Sequence, residues 1–123
     1  MTNGPACVFC AIAAGTAVAT VVAEWPDALA ILPRADKQGC RGCTDGHAMV
    51  IPRVHVADFT TDPAVTGAVM VRAAQLAARD DQFAACNLIT SRGALATQSV
   101  FHLHVHLVPR RENDGLALPW TAR

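Results

Sequence analysis

Three histidines alternate with aliphatic residues near the end of the 123-residue chain, in the segment His102-Leu103-His104-Val105-His106. Side chains of a β-strand alternate between its two faces, so the three imidazole rings would project from one face while Leu103 and Val105 project from the other. Adjacent rings would originate about 6.5–7 Å apart, since each residue of a strand advances by about 3.3 Å. Three titratable groups would therefore line one groove.

Three interpretations of this groove are open. The rings form the exposed polar face of an edge strand, although serine, threonine, lysine or glutamate would fill that role equally well. Alternatively they hold a metal ion, because two histidines separated by one residue on a strand are a frequent pair of ligands. In the third interpretation one imidazole attacks as a nucleophile, while its neighbours orient it or stabilise developing charge.

The cysteines suggest a second kind of chemistry. Four of the five form two Cys-x-x-Cys pairs, Cys7 with Cys10 and Cys40 with Cys43, which leaves Cys86 alone. In a reducing compartment such pairs bind metal or carry out redox chemistry more often than they form structural disulfides.

The elements that must position these residues are indicated by apolar runs and turn signals. A turn signal, Trp25-Pro26-Asp27, separates the first two runs and predicts a hairpin. Asp62 and Pro63 are typical of a helix start, and the apolar spacing beyond them predicts a helix to about residue 80. Five runs predict strands, at 18–24, 28–32, 48–51, 84–90 and 100–108. Strands grouped around one long helix indicate a single α+β domain with an antiparallel sheet.

These residues closely resemble the histidine triad (HIT) family, whose motif is His, apolar, His, apolar, His, apolar, apolar. The segment HLHVHLV at 102–108 fits it at every position. The flanks also look like bacterial HIT members, at 7–15 (CVFCAIAAG), 46–55 (GHAMVIPRVH), 93–100 (GALATQSV) and 114–120 (DGLALPW). The resemblance implies one HIT domain over residues 1–123, with about five antiparallel strands, one long helix and a short N-terminal helix.

The resemblance also implies an activity. The middle histidine, His104, would attack the α-phosphorus of a nucleotide derivative and form a nucleotidyl-histidine that water then cleaves. The substrate would be a nucleoside phosphoramidate, an adenylylated amine or a dinucleoside polyphosphate. A backbone carbonyl of the His47 segment would hold the tautomer of His104, and Ser99 would lie near the leaving group. Phosphate or nucleotide contacts are expected from His47, Ser91, Gln98, Ser99 and His106.

Two positions depart from the family pattern. Ser91 stands where asparagine is usual, so one hydrogen bond to phosphate would either reach less far or be made through a water molecule. Pro33 stands where an aspartate would bind ribose hydroxyls, and Asp36 is the candidate substitute.

A structural zinc is the cofactor that the resemblance implies. Its ligands would be Cys7, Cys10, His55 and His102, which satisfy the tetrahedral preference of Zn²⁺. Two alternatives stay open. In one, Cys7, Cys10, Cys40 and Cys43 form a four-cysteine site in a non-catalytic zinc-binding module. In the other, His102, His104 and His106 are the metal ligands of a metal-dependent hydrolase.

The remaining cysteines receive separate interpretations. Cys40 and Cys43 lie in what resembles an insertion of about five residues, and they are interpreted as a labile or redox-active pair in an exposed loop. Cys86 lies in an apolar strand and is expected to be a buried thiol.

Charge and hydropathy exclude several partners. Ten basic and ten acidic side chains give a formal net charge of zero, and no run of lysine and arginine would follow a nucleic-acid backbone. The N-terminus lacks the pattern of a signal peptide, and no stretch approaches the roughly twenty apolar residues that cross a bilayer. We therefore expect a cytoplasmic protein that binds neither nucleic acid nor membrane. The resemblance also implies that two copies of the chain form a homodimer, with the sheet continued across their interface.

Overall fold

The structure, a computed structural model, describes residues 7–33 and 46–121 of the chain. Within these residues two α-helices and five β-strands occur: α1 Val8–Ala13, β1 Val21–Glu24, β2 Ala28–Ile31, β3 Ala48–Pro52, α2 Pro63–Arg79, β4 Cys86–Ile89 and β5 Val105–Pro109. Two short 3-10 turns, Asp81–Phe83 and Ala94–Ala96, precede and follow β4. In this described part no helix is both long and apolar enough to span a bilayer.

The five strands form one antiparallel sheet in the order β1-β2-β3-β5-β4. The hairpin predicted around Trp25 is present as the β1–β2 pair, with an irregular register between Val21 and Ala23. The predicted fold class, a sheet of five antiparallel strands with one long and one short helix, is confirmed. The interior strand β5 lies between the central strand β3 and the edge strand β4.

The two faces of the sheet pack against different helices because alternate residues of a strand face opposite sides. On one face Val105 and Leu107 of β5 contact the buried side of α2, which includes Val69 and Leu76. On the opposite face α1 covers a smaller apolar cluster, made of Phe9, Leu29, Ile31 and Ile51. The odd-numbered residues of β5 thus belong to the α2 face, which leaves the histidines on the α1 face.

The helix start predicted at Asp62 is present. The Asp62 carboxylate accepts a hydrogen bond from the backbone N–H of Ala64, and Pro63 occupies the first turn, where its missing N–H loses nothing. The helix ends at Arg79, and Asp80 then caps the following 3-10 turn.

Several predicted strand boundaries were wrong, and the larger differences are in three strands. The first strand begins at Val21 rather than residue 18, the fourth covers Cys86–Ile89 rather than 84–90, and the fifth begins at Val105 rather than residue 100. The last difference has a clear reason: the backbone N–H of Leu103 donates to the carbonyl of Val56, which lies beyond the end of β3. The backbone around His102 is therefore not hydrogen-bonded into the sheet, although successive side chains there still point to opposite sides.

Three residues discussed from the sequence, Asp36, Cys40 and Cys43, lie outside the described residues.

Candidate active site and metal centre

His104 is held in a defined tautomer by its own chain. Its Nδ1 lies 2.8 Å from the backbone carbonyl oxygen of His102. A carbonyl can only accept, so Nδ1 carries the proton and donates it, and Nε2 keeps a free lone pair. The acceptor expected in the His47 segment is therefore found in His102 instead. A lone pair on Nε2 is what an attacking imidazole requires.

Two rings pack against the His104 ring at steep angles. The centroid of His106 lies 5.0 Å away with the planes at 70°, and that of Phe9 lies 5.1 Å away at 75°. Burial lowers the pKa of His104, while its hydrogen bond to the carbonyl of His102 opposes that shift. The ring is consequently neutral, and nucleophilic, near pH 7.

His106 and His47 form a hydrogen-bonded pair. The Nδ1 of His106 and the Nε2 of His47 are 2.9 Å apart, so one of these nitrogens donates and the other accepts. Burial, with smaller contributions from His104 and His47, lowers the pKa of His106 to about 4. Burial also lowers the pKa of His47. The two rings thus form a neutral pair beside the candidate nucleophile, His104.

Ser91 lies two residues beyond the end of the edge strand β4. Ile89 of β4 pairs with His106, and the same antiparallel register, continued for two residues beyond the paired strands, would place Ser91 opposite His104. The preceding residue ties the strands together, because the Thr90 hydroxyl donates to the carbonyl of His104 at 2.8 Å. This hydrogen bond holds the segment that precedes Ser91 against the backbone of His104.

Gln98 lies in the loop that leads to the three histidines, but its amide is engaged with the backbone. Its Oε1 accepts from the N–H of Gly93 at 2.8 Å. Its Nε2 donates to the carbonyls of Ala57, at 2.7 Å, and Val100, at 3.1 Å. Only 4% of Gln98 is exposed. In this structure its side chain joins two loops, whereas the neighbouring Ser99 is exposed.

Four donor groups predicted as metal ligands converge from three distant parts of the chain. The ligand atoms of Cys7, Cys10, His55 and His102 all lie within 4.8 Å of one another. The Cys7 Sγ lies 3.6 Å from Nδ1 of His55 and 3.4 Å from Nδ1 of His102. For the Cys10 Sγ the corresponding distances are 3.1 and 3.4 Å. Tetrahedral zinc with Zn–S of about 2.3 Å and Zn–N of about 2.0 Å separates S from N by about 3.5 Å, so the donors fit this ion.

A hydrogen bond at the far side of His102 supports the same assignment. Its Nε2 lies 3.0 Å from the carbonyl oxygen of Pro52, so Nε2 donates and Nδ1, which faces the two sulfurs, has its lone pair available. Metal-binding histidines commonly donate their second ring nitrogen in this way. Burial and the adjacent Cys7 raise the pKa of the Cys10 thiol to about 11, and a bound cation would reverse that shift.

The alternative of three histidines sharing one metal is not favoured. Among residues 7–33 and 46–121, the one group of potential metal donors that converges contains His102 but neither His104 nor His106. Moreover, Nδ1 of His104 already donates to a carbonyl and Nδ1 of His106 is paired with His47. The four-cysteine alternative requires Cys40 and Cys43, which lie outside the described residues.

Sequence reasoning missed Phe9, which lies between the paired cysteines. Its ring contacts both His102 and His104, with centroids 5.8 and 5.1 Å away. The sequence did contain a sign of this contact. A large apolar residue between two candidate ligands has to pack close to the site that those ligands form.

Comparison with known proteins agrees with this geometry. The family model described as HIT domain matches residues 16–113. A HIT-like protein of Mycobacterium tuberculosis is 40% identical over 116 residues, which cover 91% of this chain and 76% of that protein. The adenosine 5′-monophosphoramidase HNT1 of Saccharomyces cerevisiae is 30% identical over 96% of this chain and 72% of its own length. The adenylylsulfatase HINT3 of Arabidopsis thaliana is 32% identical over 89% of this chain and 55% of its own length.

Solved structures show the same fold. The protein SMU.412c of Streptococcus mutans superposes with a TM-score of 0.82 at 33% identity, covering 98% of this chain and 76% of that one. A zinc-bound histidine triad family protein of Mycobacterium smegmatis superposes with a TM-score of 0.72 at 37% identity, covering 91% and 80%.

Proposed function

This chain belongs to the HIT domain family, and from that premise we propose that it is a nucleotide hydrolase or transferase that uses His104 as its nucleophile. The proposed substrate is a nucleoside phosphoramidate, an adenylylated amine or a dinucleoside polyphosphate. Relatives named as an adenosine 5′-monophosphoramidase and an adenylylsulfatase support this class, because both names describe cleavage at a nucleotide phosphate.

The observation that carries the proposal is the hydrogen bond from Nδ1 of His104 to the carbonyl of His102. It leaves Nε2 of a neutral imidazole as the attacking atom. In the proposed first step, Nε2 forms a bond to the α-phosphorus while the bond from phosphorus to the leaving group breaks. In the second step water attacks the same phosphorus and releases the nucleotide and the imidazole.

Neighbouring side chains would bind the phosphate. We assign His106 and its partner His47 to the phosphate oxygens, because the pair lies directly beside the His104 ring. Ser91 and Ser99 would contribute hydroxyls, with Ser99 near the leaving group. Gln98, whose amide joins two loops, would act by positioning Ser99 rather than by contacting phosphate.

We propose that Cys7, Cys10, His55 and His102 hold a structural zinc. When bound, the ion would neutralise two thiolates and cross-link α1 to the residues that follow β3 and precede β5. His104 would remain the reacting residue. The ring of His102 faces the sulfur of Cys7, and its backbone carbonyl accepts a hydrogen bond from His104.

The proposal extends to assembly and location. The edge strand β4 exposes Leu88 and Ile89, at 42% and 39%, and an exposed apolar edge supports a homodimer that continues the sheet. We place the protein in the cytoplasm as one HIT domain, because a reducing compartment keeps cysteine ligands available.

The test is hydrolysis of adenosine 5′-phosphoramidate and of diadenosine polyphosphates by wild type and His104→Ala. Loss of the nucleophile should lower kcat by at least about 10³-fold. Wild type denatured at alkaline pH during turnover, a condition that preserves a bond between phosphorus and imidazole nitrogen, should also carry the nucleotide on a histidine, detected as a mass increase of the intact chain that His104→Ala lacks.

A matched control is Arg111→Ala, a change outside the site described above. This variant should retain wild-type kcat. Hydrolysis that survives in His104→Ala would refute the covalent mechanism.

A further inference from the structure

We propose that Phe9 is a positioning residue for His104, and that through it helix α1, which has Cys7 at its N-cap and Cys10 within it, holds the nucleophile in its attacking orientation. This inference rests on the proposed role of His104.

Phe9 reaches the nucleophile directly. It stands between Cys7 and Cys10 in the sequence and is only 6% exposed. Its ring meets that of His104 at 75° with the centroids 5.1 Å apart, and that of His102 at 88° with the centroids 5.8 Å apart. Both distances and angles lie in the range in which the edge of one ring is attracted to the face of another.

The hydrogen bond at Nδ1 is not enough to fix the His104 ring. The last torsion of a histidine side chain has a broad energy profile, so one hydrogen bond still permits the ring to tilt. His106 contacts the ring at 5.0 Å and Phe9 contacts it at 5.1 Å. These two packing contacts restrict the tilt and aim Nε2. Small errors of aim lower the rate of an attack without weakening substrate binding equally.

Helix α1 depends on tertiary contacts for its place. Its six residues are too few for stability in isolation. Phe9 packs on Leu29, Ile31 and Ile51 of the sheet. The thiols on either side of Phe9 in the sequence lie within 3.1–3.6 Å of the ring nitrogens of His55 and His102. Metal binding would therefore fix α1, and with it the Phe9 ring.

The experiment compares Phe9→Leu and Phe9→Tyr with Ile31→Val. Leucine keeps an apolar side chain but removes the ring, whereas tyrosine keeps the ring edge. Ile31 belongs to the same buried cluster but has no aromatic ring to contact a histidine. For each variant we would measure zinc content, melting temperature, kcat and KM for adenosine 5′-phosphoramidate, and the ¹⁵N chemical shifts of the His104 imidazole.

We expect Phe9→Leu to lower kcat per zinc-loaded chain by about 3- to 10-fold, the rate equivalent of one aromatic contact, with KM within about two-fold of wild type. The His104 ¹⁵N shifts should move from those of a single Nδ1–H tautomer towards an average of two. Phe9→Tyr should keep kcat within about two-fold even though its buried hydroxyl lowers the melting temperature. Ile31→Val should match wild type in kcat and in the ¹⁵N shifts.

Chelation tests the connection to the metal. Removing zinc from wild type should move the His104 shifts in the same direction as Phe9→Leu does, and should have little further effect in that variant. Independent, additive effects would overturn the connection.

Two other results would overturn the role of Phe9. One is a Phe9→Leu variant with unchanged kcat and unchanged shifts. The other is a rise in KM at constant kcat, which would show that Phe9 binds substrate. The ¹⁵N measurement needs no substrate, so it tests Phe9 even if the proposed hydrolase activity fails.

Discussion

At the scale of single residues, the three histidines of the motif have three different surroundings. His102 is fully buried and turns Nδ1 to the two sulfurs. His104 donates its Nδ1 proton to a backbone carbonyl, and His106 shares a hydrogen bond with His47. The Nδ1 atom of each ring therefore has a different partner, and that partner decides which nitrogen of the ring keeps an available lone pair.

The lowered pKa of His106 predicts an acid-sensitive fold. The ring is neutral in the folded chain down to its pKa of about 4, whereas in the unfolded chain it takes up a proton near its ordinary pKa of 6.5. The stability that the neutral His106 ring contributes is fully present above about pH 6.5 and is lost as the pH falls from there towards 4. We expect the free energy of unfolding to fall by on the order of 2 kcal/mol between pH 7 and pH 4.5 from this group.

Urea unfolding at both pH values measures this loss in wild type and in His106→Asn, at the same zinc concentration. The asparagine variant should lose less stability on acidification, because it has no imidazole to protonate. Equal losses in the two proteins would mean that His106 contributes nothing to the acid sensitivity.

Gln98→Ala should reduce stability. The change leaves the N–H of Gly93 and the carbonyl of Ala57 without the partners they have in the native fold. We expect a loss of about 2–3 kcal/mol in the free energy of unfolding, measured in urea. Gln75→Ala, on the exposed side of α2, is the control and should change stability by less than about 0.5 kcal/mol. A Gln98→Ala variant as stable as this control contradicts the assignment.

At the scale of elements, many of the candidate site residues lie in short segments outside the regular strands. The chain from Phe101 to His104 precedes β5, and Cys7 stands at the N-cap of α1. These segments are positioned by long-range contacts, such as the bond from Leu103 to Val56 and that from Thr90 to His104.

Replacement of glycine by alanine should have opposite effects on stability at two positions, one in the turn before β3 and one within α2. Gly46 has a φ of +83°, and a Cβ there would collide with the side-chain oxygen of Gln82. Gln82 can move, but the left-handed backbone cannot change, so Gly46→Ala should destabilise the fold by about 1–2 kcal/mol. Gly67 lies within α2 with open space around it, so Gly67→Ala should stabilise the fold by about 0.5–1 kcal/mol.

Urea unfolding of the two alanine variants decides this point. A double variant, Gly46→Ala with Gln82→Ala, removes the steric part and should recover only a fraction of the loss. Complete recovery would show that the collision, rather than the backbone conformation, was the cause.

At the scale of the whole molecule, the sheet separates two packing layers. Helix α2 covers one face over the larger core, and α1 covers the other face beside the histidines. The four candidate ligands join segments that are far apart in the chain, since Cys7 and His102 are 95 positions apart. A metal bound there would act as a cross-link between α1 and the sheet.

Zinc removal should therefore lower thermal stability. We expect a chelator to reduce the melting temperature by about 5–15 °C, because an ion that binds only the folded chain stabilises it by mass action. Cys10→Ser should lower the melting temperature and remove most of its dependence on zinc. Cys86→Ala, a cysteine outside the ligand set, should keep that dependence. A chelator effect that persists undiminished in Cys10→Ser would contradict this ligand set.

The sequence alone determined several features of the fold and of the candidate site. The alternation of three histidines with aliphatic residues predicted which side chains share a face, and Asp62 with Pro63 predicted where the long helix begins. The HIT motif and its flanks predicted the family and the five-stranded fold. The first two features depend on residues near one another in the chain, so sequence spacing contains the necessary information, whereas the family and its fold came from the resemblance of segments spread over the whole chain.

Only the tertiary structure decided the partners of each polar group. The carbonyl that holds His104, the carbonyl of Pro52 behind His102, and the engagement of Gln98 with two loops are contacts of backbone atoms that every residue possesses. Residue types cannot specify which carbonyl lies within reach. The place of Phe9 against His104 likewise required α1 to be packed on the sheet. Sequence spacing identifies groups that can react, while packing determines which nitrogen of each ring is available.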